Sequence, residues 1–172
     1  MSTITTFLKK DRHLCDHLLD IAGNAVKRQF WRKAGAAIDR FAVALDEHMA
    51  MEEDVIFTAL AQYTGEASKP IADLLLEHRQ LRRLTICAAS AVRRRNAADF
   101  QQVAAALRDM MEEHCMKEER ILLFMADHFL RPAARFLVEA MQRLKNQSGA
   151  GCSNPALALQ TESNKGVAVA PG

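Results

Sequence analysis

The sequence predicts an all-α protein, an up-down-up-down four-helix bundle with a short C-terminal helix and a disordered tail. Three observations lead there. Only 7 glycines and 4 prolines occur among 172 residues, too few for the many tight turns of an all-β fold. Apolar residues make up 49% and charged residues 26%, the balance of an ordinary globular chain whose length suits one domain. Apolar residues also alternate at spacings of three and four along four long stretches, as helices facing a common core require.

The first helix is expected near 5–30, with Leu14, His17, Leu18, Ile21 and Ala25 on one face. Gly35 is the next break and opens the second helix, 35–63, whose inward seam reads Ile38, Phe41, Leu45, His48, Glu52, Val55 and Ala59. The stretch TGEASKP at 64–70 interrupts it: Thr64-Gly65 suits a helix end, and Ser68 with Pro70 suits a new start. The third helix, 69–94, carries Ile71, Leu74, His78, Leu81, Thr85, Ala88 and Val92 on its seam. Asn96 followed by Asp99 resembles a capping box and starts the fourth helix, 97–128, with the seam Val103, Leu107, Met111, His114, Glu118, Ile121 and Met125. Arg131-Pro132 separates a short fifth helix running to about 145. Beyond it the composition turns to Ser, Gly, Asn, Gln and small apolar residues without periodicity. The expected division is therefore a bundle over 1–146 and a disordered tail over 147–172.

The 23 basic and 21 acidic residues leave a net charge of +2, which points to neither nucleic acid nor an anionic membrane as a partner. The run Arg93-Arg94-Arg95 complements the dipole at the end of the third helix. No apolar run approaches the roughly 18 residues of a membrane span, and the opening MSTITTFLKK lacks the apolar centre of a secretory signal. A cytoplasmic location is expected. Cysteines at 15, 87, 115 and 152 show no CxxC spacing, so reduced thiols are expected rather than a disulfide framework or a zinc ribbon.

In every long helix a histidine interrupts the apolar seam, although polar groups in a core are costly unless each finds a partner. The second and fourth helices echo each other: Glu47-His48-Met49-Ala50-Met51-Glu52-Glu53 matches Glu113-His114-Cys115-Met116-Lys117-Glu118-Glu119. Both contain H-x-x-x-E, which sets an imidazole and a carboxylate on one helix face, while Glu53 and Glu119 at i+5 are turned away by roughly 100°. In the expected topology His17, His48, His78 and His114 fall within roughly 9 Å along the bundle axis. Four imidazoles and the carboxylates of Glu52 and Glu118 in one buried layer are accounted for by a pair of metal ions. Nitrogen and oxygen donors without thiolates favour iron or manganese over structural zinc. His13, one turn before His17, is a candidate fifth imidazole, whereas His128 lies roughly 21 Å beyond His114 and is out of reach.

No histidine has Glu three residues before it, as ferritin-like di-iron bundles require. The pattern instead resembles the hemerythrin family, specifically its bacterial branch with the His-His-Glu cation-binding motif. The resemblance covers residues 10 to about 128: Asp16-His17, His48-x-x-x-Glu52-Glu53 followed by Val55-Ile56-Phe57, Glu77-His78, and His114-x-x-x-Glu118-Glu119 followed by Leu122-Leu123-Phe124. It implies a centre of two iron ions that binds dioxygen or nitric oxide, with His17, His48, His78 and His114 as terminal ligands and Glu52 and Glu118 as bridges. Two positions depart from the oxygen carriers of the family. Arg82 stands where they have a second histidine on the third helix, and Glu119 stands where they have a ligating Asp. The four-His, two-Glu set looks more like the branch associated with nitrosative stress. The resemblance therefore implies two further roles: an iron donor in repair of iron–sulfur clusters, or a peroxide-reducing di-iron enzyme.

Overall fold

A computed structural model describes residues 3–64 and 69–150, and every regular element among them is helical. Helix α1 (Ile4–Lys27) starts at Thr3, whose side-chain oxygen accepts from the Thr6 N–H at 3.1 Å and satisfies a donor that the first turn leaves free. It ends with Gln29 in the left-handed region at φ 58°, the Gln29 N–H bonding to Val26 O and the Phe30 N–H to Ala25 O. That bonding pattern is a Schellman turn. The chain has thus reversed before it reaches Gly35, so α2 (Trp31–Ala50) begins earlier than expected and contains this glycine in its first turns.

From α2 the chain runs on through a π-helical segment, Met51–Phe57, into α3 (Thr58–Thr64). The break expected at 64–70 fits this end and the start of α4 (Lys69–Arg93), although Gly65 and Ser68 lie outside the described residues. Helix α4 closes with Arg95 at φ 53° and the same two turn bonds, Arg95 N–H to Val92 O and Asn96 N–H to Ala91 O. Asn96 then caps α5 (Ala97–Lys117) by accepting from the Asp99 N–H at 3.1 Å. The Asp99 carboxylate turns to Arg94 at 2.9 Å, so the expected box forms only on its Asn side. A second π-helical segment, Glu118–Leu122, leads into α6 (Leu123–Phe129); a short 3-10 turn, Arg131–Ala133, precedes α7 (Ala134–Ala150). Helix α7 continues past residue 146, where the tail was expected to begin; residues 151–172 lie outside the described part.

Helix α1 packs on α2, α2 on α4, α4 on α5, and α5 returns to α1. Two apolar clusters fill the interior. One contains Phe41, Leu45, Leu81, Phe100 and Leu107; the other contains Ile4, Leu8, Ile56, Leu60, Leu122 and, from α7, Met141. Along each helix the buried ionisable residues fall where one cluster gives way to the other. Phe41 is fully buried in the first cluster, and Phe41→Ala is expected to lower unfolding stability by about 3–5 kcal/mol, measurable by denaturant titration; a loss below 1 kcal/mol would contradict the packing. No helix of the described residues is long and apolar enough to cross a membrane.

All seven expected seam residues of α4 are buried. The seam of the second stretch holds as far as Glu52; that of the fourth holds from Leu107 to Glu118, with Val103 half-buried beside the buried Phe100 and Ala104, and the Ile121 side chain lies outside the described part. Beyond Glu52 the buried residues are Ile56, Phe57 and Leu60 rather than Val55 and Ala59; beyond Glu118, Leu122, Leu123 and Ala126 are buried and Met125 is only half-buried. Both shifts have one cause. A π-helical turn takes an extra residue before the chain returns to the same face, and each of these turns lies where the echoed glutamate stands.

Candidate metal centre

Three imidazoles and two carboxylates converge between the apolar clusters. His48 ends α2, with Glu52 one turn on in the π segment; His78 projects from α4, His114 from α5, and Glu118 opens the second π segment. All five are at most 4% exposed, at a depth where an ionised group without a partner is prohibitive. Glu52 lies at the middle. Its Oε1 is 3.2 Å from His48 Nε2, and its Oε2 is 3.1 Å from His78 Nε2 and 3.8 Å from His114 Nε2. His78 Nε2 and His114 Nε2 are 3.3 Å apart, and Glu118 Oε2 is 4.0 Å from His114 Nε2. These atoms form two groups, each with its donors within 4.8 Å of one another: Glu52, His78 and His114, and His48, Glu52 and Glu118.

The far ring nitrogen of each histidine faces a carboxylate, and each carboxylate faces a cation. His78 Nδ1 donates to Glu53 Oε1 at 2.7 Å, and Arg82 holds the same oxygen at 2.9 Å while also donating to Asp46 at 2.8 Å. His114 Nδ1 donates to Glu77 Oε2 at 3.0 Å, and Lys117 pairs with Glu77. His48 Nδ1 lies 3.3 Å from Asp11 Oδ2, and Lys145 of α7 pairs with Asp11. With its proton on Nδ1, the neutral ring of His78 or of His114 presents Nε2 to the interior, the tautomer a metal ligand needs, whereas His48 Nδ1 faces Asp11 without a hydrogen bond.

Charge within the layer is strongly coupled. Burial opposes ionisation of Glu52, but the His48 charge and the other two imidazoles that face its oxygens outweigh it and hold its carboxyl well below the usual range. Glu118 goes the other way: burial raises it well above the usual range, and the neighbouring Glu52 charge adds to the effect. Burial also opposes protonation of His48, yet Glu52 and Asp11 raise it to about 10. Both oxygens of Glu52 and Oε1 of Glu118 have no hydrogen-bond donor. Buried carboxylate oxygens without donors, facing imidazole Nε2 atoms, form donor groups that could hold a metal ion.

Five of the six expected site residues thus meet. His17 is the correction. It lies on the exposed face of α1, because the inward face of this helix runs through Leu8, Asp11, Cys15, Leu18 and Ala22, and position 17 is roughly 200° around from Cys15. His13 is also exposed, 4.0 Å from Asp16, and His128 stacks on Phe124 at the surface. Glu119 sits outside the layer in ion pairs with Lys9 at 3.1 Å and Arg12 at 3.3 Å. Helix α1 offers the layer Asp11, Cys15 and Arg12 instead of an imidazole. The supporting roles of Asp11 and Glu77 were not foreseen, although the spacing Leu8, Asp11, Cys15 puts Asp11 on an apolar face.

The model of the hemerythrin HHE cation-binding domain matches residues 6–126. The chain belongs to this family. No curated protein and no solved structure matches it. Cation binding by this hemerythrin domain therefore rests on two independent observations, the family match and the buried donor groups.

Proposed function

We propose that this hemerythrin-like protein is an up-down-up-down four-helix bundle that holds two iron ions and binds a diatomic gas, dioxygen or nitric oxide. One observation carries the reading: the two buried donor groups share Glu52. His78 and His114 would hold one ion, His48 and Glu118 the other, with Glu52 between them. Paired ferrous ions supply open positions and electrons for inner-sphere binding of a small diatomic molecule. The chain's own residues do the rest. Glu53, Glu77 and Asp11 orient the three rings, and the apolar clusters on either side exclude water. Arg82 supports Glu53 from outside and adds no ligand. Three unbridged cysteines, Cys15, Cys87 and Cys115, favour a reducing, cytoplasmic setting.

A second reading has its own support. No imidazole from α1 reaches the layer, which leaves the ion at His48 with fewer nitrogen donors and suits release of iron for repair of iron–sulfur clusters.

Elemental analysis after anaerobic loading tests the proposal. Two irons per chain are expected, together with an optical change when the reduced protein meets nitric oxide or air. His48→Ala and His114→Ala should lose metal, whereas His17→Ala and His128→Ala should retain it. Near-zero iron in the wild-type protein, or equal loss from all four variants, would overturn the reading.

A further inference from the structure

A cleft of about 350 Å³ opens between α1 and α5 and is lined by Arg12, Asp16 and Asp20 from one helix and Met111, Glu112 and Cys115 from the other. Behind it a small cavity of about 10 Å³ touches His48 and His114 and is bounded by Arg12, Cys15, Met111 and Cys115. That volume suits one water-sized guest. The two spaces share Arg12, Met111 and Cys115. A single layer of side chains therefore separates the surface cleft from the nitrogen ligands.

The three imidazoles are closed off on their outer sides. Glu53 with Arg82 backs His78, Glu77 with Lys117 backs His114, and Asp11 with Lys145 backs His48. Opening any of these routes would strip a carboxylate from a buried ring. Arg12 is held differently. Its guanidinium pairs with Glu119 at 3.3 Å, a carboxylate 41% exposed and shared with Lys9. The pair lies at the rim of the layer, Arg12 17% and Glu119 41% exposed, and its breaking leaves the carboxylate to solvent and Lys9, at the small cost of a pair open to water. The cleft outside contributes three carboxylates against the guanidinia of Arg12 and Arg108, and Arg108 is itself tied to Asp20 at 2.8 Å. A weakly acidic mouth attracts cations; Arg12 repels them.

We propose that Arg12 is the gate of the metal centre: when its pair with Glu119 breaks, the side chain swings out and divalent ions pass from the α1–α5 cleft to the ligands past Met111 and Cys115. Arg12 acts on exchange and holds no metal. The inference rests on the functional reading above, and its test separates the two.

The first arm uses metal-free protein and follows alkylation of Cys115 by a small neutral thiol reagent, with peptide mass spectrometry resolving it from the exposed Cys87. The second follows loss of iron from the loaded protein to an excess of chelator. Arg12→Ala is expected to accelerate both by about fivefold, the scale of one exposed ion pair, with Cys87 labelling and the final iron content unchanged. Removing the guanidinium takes away a charge that favours the thiolate, so faster labelling reports access rather than acidity. Glu119→Gln leaves Arg12 in place but cuts its anchor, and should move both rates the same way even if Arg12→Ala folds poorly. Arg135→Ala, remote and exposed, should move neither. If either rate stays at the wild-type value in both gate variants, the proposal fails. A wild-type protein that takes up no metal defeats the functional reading, and the labelling arm alone then decides whether Arg12 shuts the cavity.

Discussion

Glu52→Ala is expected to empty both metal positions, whereas Glu118→Ala empties one. The reason is geometric. Glu52 is common to both donor groups, with one oxygen 3.2 Å from His48 Nε2 and the other 3.1 Å from His78 Nε2. Glu118 belongs to one group only, so its removal leaves Glu52, His78 and His114 together. The affinity loss at Glu52 should exceed the roughly 10–100-fold that accompanies removal of an outer partner such as Glu53. Metal per chain after anaerobic loading, read beside a circular dichroism spectrum to confirm folding, gives the answer. Equal retention in the two variants would show that no carboxylate is shared.

Chelation of the loaded protein should lower its melting temperature by about 10 °C. The ligand atoms are unfavourably arranged without an ion: both Glu52 oxygens and one Glu118 oxygen are buried without donors. An ion that binds the folded chain stabilises it by about 4 kcal/mol when free metal is a thousandfold above the dissociation constant. For a chain of this length each kcal/mol corresponds to roughly 2–4 °C. Scanning calorimetry with and without chelator measures the shift, and His17→Ala should behave as wild type. An unchanged melting temperature would mean that the layer does not hold metal in the folded protein.

Much of the fold and the centre is legible in the sequence, and the places where it is not share a physical origin. The seam of α4 reads without error because nothing disturbs its 3.6-residue period. The H-x-x-x-E echo locates His48, Glu52, His114 and Glu118, since residues four apart stay close on one side of the helix even at the edge of a π segment. The seams after Glu52 and Glu118 escape such a reading because a π-helical turn changes the period, and Met51–Phe57 and Glu118–Leu122 contain no proline or glycine to announce one. The start of α2 escapes because the turn before it rests on Gln29 in the left-handed region rather than on a glycine, whereas Asn96 announces α5 even though Arg95 takes the same conformation. His17 is misplaced because Leu14 and Leu18 suggest a face, while Leu14 is 38% exposed and the buried stripe passes through Asp11 and Cys15. A buried aspartate looks like a surface residue until its partners, His48 and Lys145, are known.

Lys145 extends the working unit beyond the family's own boundary. The matched domain ends at residue 126, yet the cation that faces Asp11 comes from α7, as does Met141 in the second apolar cluster. The terminal helix is thus tied to His48 through one carboxylate, and the orientation of an imidazole on α2 depends on a residue nearly a hundred positions later. A segment cut at the domain limit would contain every proposed ligand and still lack part of what holds them. In this chain the family's domain is a sequence unit, and the packed unit around the centre includes α7.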